Sequence, residues 1–374
     1  MKITRIKTTP LLLPFKEPYY WAGRVDLGTA VILVEVETDE GLVGVGESTA
    51  GLPAEGVLQA LQGVVPCFIG EPVFDIERLF TRAQCLGSFS HTPWFANLVL
   101  AGLEMALWDI MGQAAGRPVY QLLGGAARSE VDYFGFLQGN QAEALAEDAG
   151  AMVEAGYSVV YMKVGRGEAL DLRNVAAVRA VIGDRRLRLD ANGAWDTRTA
   201  IYMINKLARF EPEWIEQPTP PLSIAAMRQV KESVSVPVAA DQSVFTLWDV
   251  YDICRQRAAD AIVLSIHEAG GLLAFKKAAA IAEAAGIPVC LHGQSVSSIT
   301  DAAQQHIGLT TPNLTDGNQI MHQLIVEDLV SAPDLTPRHG TVGLLEKPGL
   351  GIGLNRDAVE HAADLYRRAH YQHP

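Results

Sequence analysis

From about Val131 onward, short apolar runs alternate with alanine-rich helical stretches, roughly one pair every 20–30 residues. Strands are predicted near 131–136, 158–164, 187–191, 213–216, 236–241, 261–265, 288–292 and 312–316. Helices fall between them, for example over 170–182 and 271–285. Apolar strands separated by helices are the pattern of a parallel sheet with helices covering it. Eight such strands close a barrel. A doubly wound open sheet is the alternative, but no Gly-x-Gly-x-x-Gly follows a first strand.

The residues before about 125 read differently. Strand-like runs at 31–37 and 42–47 flank Asp39-Glu40-Gly41, a hairpin turn signal. An aromatic loop, Tyr19-Tyr20-Trp21-Ala22-Gly23-Arg24, precedes them. From 53 to 111 the apolar period is helical, most clearly over 101–110, with Gly116-Arg117-Pro118 as the stop signal. A chain of 374 residues therefore reads as a barrel plus a smaller domain. The tail after 326 ends in a helix over 356–369 and has no strand slot left in the barrel. It is expected to pack back on the N-terminal part.

Several function classes are set aside at this point. Cys67, Cys85, Cys254 and Cys290 are scattered without a Cys-x-x-Cys pair, so free thiols in a reducing cytoplasm are expected. The first residues read as an alternating strand and not as a leader. No apolar run reaches about 18 residues, so no membrane span is expected. A net charge of −13 with dispersed Lys and Arg argues against nucleic acid as a partner.

In a barrel, polar residues at the C-terminal ends of strands point into the mouth. The third strand runs into Asp190-Ala191-Asn192, the fourth into Glu216-Gln217-Pro218 and the fifth into Asp241-Gln242-Ser243. Asp190, Glu216 and Asp241 are thus roughly 25 residues apart, one βα unit each. Singly, any of them could cap a helix or pair with an arginine. Side by side, three ionised carboxylates repel unless they share a cation. Oxygen ligands on rigid strands suit Mg²⁺, one per subunit, with Mn²⁺ as a substitute.

Lys163 ends the second strand and is the only lysine between Lys16 and Lys206. Burial and a neighbouring metal are expected to lower its pKa and make it a usable base. His292 ends the seventh strand, across the mouth, where it can face the other side of one bound carbon. His267 and His322 fit no such position as well.

With these residues in hand, the chain resembles the mandelate racemase and muconate lactonizing enzyme branch of the enolase superfamily. The resemblance rests on Gly44-Val45-Gly46-Glu47, Ala106-Leu107-Trp108-Asp109 and Leu122-Leu123-Gly124-Gly125. It continues through Asp190-Ala191-Asn192, Glu216-Gln217-Pro218, Gly270-Gly271 and Pro348-Gly349-Leu350-Gly351. It implies a modified TIM barrel, (β/α)₇β, in the α/β class, with an α+β capping domain. The capping domain would span 1–125, the barrel 126–325, and a segment returning to the capping domain 326–374.

The resemblance further implies Mg²⁺ on Asp190, Glu216 and Asp241, and proton abstraction next to a carboxylate through a metal-stabilised enolate. Lys163 matches the second lysine of the family's Lys-x-Lys pair, and Tyr161 replaces the first. Ser265 falls where related enzymes carry an Asp that partners the strand-seven His, or a lysine. Asn318, near Asp316, falls where a strand-eight carboxylate often contacts substrate. Loop residues Trp21 and Arg24, with Tyr19, Tyr20 and 48–52, would face the distal end of the substrate, and Asn192 lies beside the metal ligands.

Without an acid at Ser265, His292 is expected to act better as an acid than as a base. That favours dehydration of a hydroxy acid or acid sugar, a lyase reaction. The alternative is a racemase, epimerase or cycloisomerase on the same scaffold. A non-catalytic binding barrel is the reading from another class. The expected partners are a small-molecule carboxylate and further copies of the chain in a homo-oligomer.

Overall fold

The N-terminal part is a three-stranded antiparallel meander of Ile3–Trp21, Arg24–Thr38 and Val43–Thr49, in that order. The computed structural model describes residues 1–22, 24–49, 53–86, 89–293 and 296–370. The aromatic segment expected as a loop is instead the end of a long hairpin, with Tyr19 paired to Asp26 and Trp21 to Arg24. A register shift between Pro14 and Tyr19 lets the strand continue past its prolines, which cannot donate to a ladder.

Helices Ala54–Val64, Ile76–Gln84 and Pro93–Ala115 follow. The last is apolar on nearly every side, as expected of a helix buried all round. It is long and apolar enough to cross a membrane, but 94% of its apolar window is buried inside the protein. Its close approach to the third strand depends on glycine. A Cβ at Gly46 would sit 1.9 Å from the Gly102 carbonyl oxygen, so any side chain there forces strand and helix apart. Gly46→Ala is expected to destabilise the fold by about 1–3 kcal/mol, read as a lower urea midpoint. An unchanged midpoint would contradict this packing.

The same helix links distant motifs. The Asp109 carboxylate accepts from Val45 N at 3.0 Å and from Leu350 N at 2.8 Å. Three of the recurring tetrapeptides therefore meet at one side chain.

The barrel strands are Gly135–Phe136, Val159–Lys163, Arg186–Asp190, Trp214–Glu216, Val238–Ala240, Ala261–Leu264 and Val289–Leu291. They form one parallel sheet in sequence order. The eighth segment closes it, with Leu314 bridged to Val289 and Asn318 to Tyr133. Asn318 fastens that closure, since Oδ1 accepts from Leu291 N at 2.8 Å and Nδ2 donates to the Asp132 and Thr315 carbonyls. At the opposite end from the mouth, the buried Arg188 lies over Trp214 and binds Glu213 at 2.6 Å.

Among the described residues the tail adds no barrel strand. Thr341–Gly343 pairs antiparallel with Glu130–Asp132, a stretch expected to begin the first barrel strand. The terminal helix Arg356–His370 lies against the N-terminal meander, with Arg356 on Glu35 at 2.5 Å. A second apolar cluster joins meander and mouth, where Leu11, Leu13 and Tyr19 meet Phe136, Tyr161 and Met321.

Candidate active site

Strand register sets the level of the site. Lys163 lies opposite Asp190, and Asp190 opposite Glu216. Asp241 directly follows the fifth strand, so all three acids leave their strands at one end of the barrel. One oxygen from each of Asp190, Glu216 and Asp241 lies within 4.8 Å of the others. All three residues are buried. Burial, followed by repulsion from Asp190 and Asp241, pushes the Glu216 carboxyl well above its ordinary range.

These residues fit a divalent cation. Their donors are all carboxylate oxygens, the set preferred by hard cations. Among the described residues nothing makes an aligned hydrogen bond to Asp241 Oδ1, a buried anionic atom, although His292 Nδ1 is 3.0 Å away. Asn192 turns the chain away at φ 45° and donates its backbone N–H to Asp190 Oδ1 at 2.7 Å.

Lys163 Nζ lies 2.5 Å from Asp190 Oδ2. Burial alone lowers the ammonium's pKa, but Asp190, Tyr19 and Glu216 outweigh it, so the pKa is raised. The expected lowering is reversed because the triad's negative charge faces the lysine directly. Tyr161, in place of a first lysine, brings a neutral phenol 2.5 Å from Asp190 Oδ2 and 2.9 Å from Glu216 Oε1. The phenol accepts from Lys163 Nζ at 3.1 Å. Tyr161 is itself held by stacking on Phe134 at 4.4 Å.

His292 approaches from the other flank of the triad. Its Nδ1 lies 3.0 Å from Asp241 Oδ1 and 3.3 Å from Glu268 Oε2. Burial opposes the imidazolium, but Asp241 and Glu268 raise its pKa well above the ordinary histidine value. Glu268 was not foreseen. The expectation that His292 lacks an acidic partner after strand six is therefore corrected.

Ser265 does not take that part. Its Oγ accepts from Glu268 N at 3.0 Å, and Glu268 Oε2 accepts from Ser265 N at 2.9 Å, a reciprocal capping box. The short helix Ile266–Ala269 thus carries the acid three residues beyond the expected position. The Ser-x-x-Glu spacing was the available signal.

The remaining candidates are placed as follows. Asn318 is engaged in barrel closure, and Asp316 is exposed beside Arg186, near the end of the barrel away from the mouth. Arg24 stacks on Trp21 at 5.1 Å, and Trp21 Nε1 donates to Asp26 at 2.6 Å. Of the aromatic segment it is Tyr19 that reaches the site, with its ring 6.0 Å from Lys163 Nζ. Residues 50–52 of the second expected loop lie outside the described residues. His267 is buried against the Glu47 carbonyl and His322 binds Asp301 at 2.9 Å.

Comparison with known proteins shows the family. Residues 8–124 match the mandelate racemase / muconate lactonizing enzyme N-terminal domain, and residues 144–358 match the enolase C-terminal domain-like family. The chain belongs to the enolase superfamily, in the mandelate racemase and muconate lactonizing enzyme branch. This enolase-superfamily chain is 32% identical to muconate cycloisomerase 1 of Rhodococcus opacus, over 96% of itself and 98% of that protein. It is 31% identical to the L-Ala-D/L-Glu epimerase of Bacillus subtilis, over 94% and 97% of the two chains.

Among solved structures it superposes on the dipeptide epimerase from Enterococcus faecalis complexed with Mg and the dipeptide L-Leu-L-Tyr. That match has a TM-score of 0.88 at 28% identity, covering 94% of this chain and 100% of the other. These relatives are a cycloisomerase and an epimerase, and this chain is an enzyme of the same superfamily. They favour the isomerase alternative over dehydration.

Proposed function

We propose that this enzyme moves the proton next to a substrate carboxylate from one face of the carbon to the other, as a racemase or epimerase. One observation carries the reading. Lys163 and His292 flank the carboxylate triad from opposite sides, at Asp190 and Asp241 respectively. The argument for dehydration rested on a His292 without an acidic partner, and Glu268 removes it.

Asp190, Glu216 and Asp241 would hold Mg²⁺, or Mn²⁺ in its place. A cation there supplies positive charge to the substrate carboxylate as the α-proton leaves. With the triad's charge offset, burial favours the neutral amine of Lys163, which takes the proton from its own face. His292, held by Glu268, delivers a proton to the opposite face. One such turnover leaves Lys163 protonated and His292 neutral, the state that acts on the other stereoisomer with the roles exchanged, and a reverse turnover or proton exchange with water restores the starting state.

The substrate class proposed is a dipeptide or N-acyl amino acid, whose α-carbon carries an ionised carboxylate. Cycloisomerisation of a muconate is the second reading, favoured by the Rhodococcus relative. Both are tested together. The protein is incubated in D₂O with Mg²⁺ and a panel containing L-Ala-L-Glu, L-Leu-L-Tyr, other N-acyl amino acids and muconate. Epimerisation predicts deuterium at the α-carbon and a second stereoisomer, with no water lost. Release of a dehydrated keto acid from hydroxy acids, with an inert panel, would sink this reading.

A further inference from the structure

Asp241 and Glu268 come from different loops, yet both reach the same nitrogen of His292. Something must fix the distance between those loops. The side-chain amide of Asn97, on helix Pro93–Ala115, bridges them: Nδ2 donates to the Phe245 carbonyl at 2.9 Å and to the Glu268 carbonyl at 2.7 Å. Phe245 lies four residues beyond Asp241 in the loop after strand five, and Glu268 lies in the turn after strand six. Both amide hydrogens are therefore engaged, one on each loop.

The surroundings are built around this contact. Trp94, one turn earlier on the same helix face, stacks on Phe245 at 4.8 Å. Gly270 follows Glu268 at φ +92°, and a Cβ there would come within 2.7 Å of Asn97 Oδ1. The adjoining Gly271 leaves room for Glu104, whose carboxyl accepts from Leu272 N and Leu273 N at 2.8 and 3.0 Å. The Gly270-Gly271 pair thus admits two side chains of one helix against the turn that carries Glu268. Asn97 itself is buried, and its amide hydrogens go to backbone carbonyls of the two loops.

We infer that Asn97 is a positioning residue, setting the spacing of Asp241 and Glu268 and through them the orientation of the His292 ring. The inference rests on the reading of His292 as a proton-transfer group. Asn97→Leu keeps the branched four-atom skeleton of the side chain and removes both hydrogen bonds. Without them the two loops can separate, and Glu268 no longer meets Nδ1 at its present distance.

The test needs no substrate in its first arm. In the full-length, Mg²⁺-loaded protein labelled with ¹⁵N-histidine, His292 is assigned by difference with His292→Gln. Asn97→Leu is expected to move the His292 ring nitrogens in the direction seen for Glu268→Gln. Unchanged ring resonances would overturn the inference. In the second arm, α-deuterium exchange is followed separately for both stereoisomers of a panel member. Exchange on the His292 face should fall about 10-fold or more, with the Lys163 face nearly unaltered, and Asn97→Leu/Glu268→Gln should be no slower than Glu268→Gln alone.

Equal slowing on both faces, or additive losses in the double variant, would also overturn it. If the unaltered enzyme exchanges no panel member, the proposed reaction fails while the imidazole arm still decides the role of Asn97. Should the leucine variant not fold, Asn97→Ala carries the same expectations.

Discussion

Lys163→Ala is expected to slow α-proton exchange by about 10²–10⁴-fold, the range for losing a general base, while cation binding persists. The lysine is paired in register with Asp190, and it is buried there next to the Tyr161 phenol and the Tyr19 ring. Removing it takes one positive charge from beside the triad, so affinity for a divalent cation should hold or tighten. Lys163→Arg sharpens the test. A guanidinium keeps the charge near Asp190 but does not deprotonate in proteins, so it cannot serve as the base. Both variants should therefore lose exchange, measured by NMR on whichever panel member the unaltered enzyme exchanges. Activity within a few-fold of normal in Lys163→Arg would remove Lys163 from the role of base.

These expectations depend on how much of the site was visible before any coordinates. The triad was legible because a parallel barrel translates one βα unit into one step around the mouth. Asp190, Glu216 and Asp241 therefore had to arrive at one level. Lys163 and His292 were legible for the same reason, being the polar ends of apolar strands. Glu268 was not. It lies beyond the strand, and its direction is set by a capping box with Ser265 and by two glycines that change the chain's course. The sequence placed the serine correctly at the strand end but could not tell that it serves the backbone. The direction of the Lys163 shift was also hidden, since it depends on a 2.5 Å approach and not on burial alone.

A similar limit applies to long-range ties. Asn97 reads in the sequence as one polar residue in an apolar helix, and its partners lie 148 and 171 residues away. The long hairpin was misread for a local reason. Prolines near residues 14 and 18 look like loop formers, but this is an edge strand where an unpaired position is tolerated.

The cation site can be tested without any substrate. In unaltered enzyme, saturating Mg²⁺ should raise the thermal midpoint, because a ligand bound only by the folded chain adds about 2.7 kcal/mol at 100 times its Kd. Glu216→Gln should abolish most of that gain. The variant keeps the shape of the side chain, and its amide can still meet the Tyr161 phenol, which lies 2.9 Å from Glu216 Oε1. It removes one of three like charges crowded within 4.8 Å in a buried position. In the presence of EDTA, then, the variant should melt at or above the temperature of the unaltered chain, since an unshared carboxylate is costly to bury. The two effects have opposite signs: stability without cation holds or rises, and the increment from cation disappears along with α-proton exchange. A structural role for Glu216 predicts the reverse, with a lower midpoint in EDTA and an intact response to Mg²⁺. That second pattern would show that the three acids do not share an ion, and with it the proposed proton transfer would lose its source of positive charge.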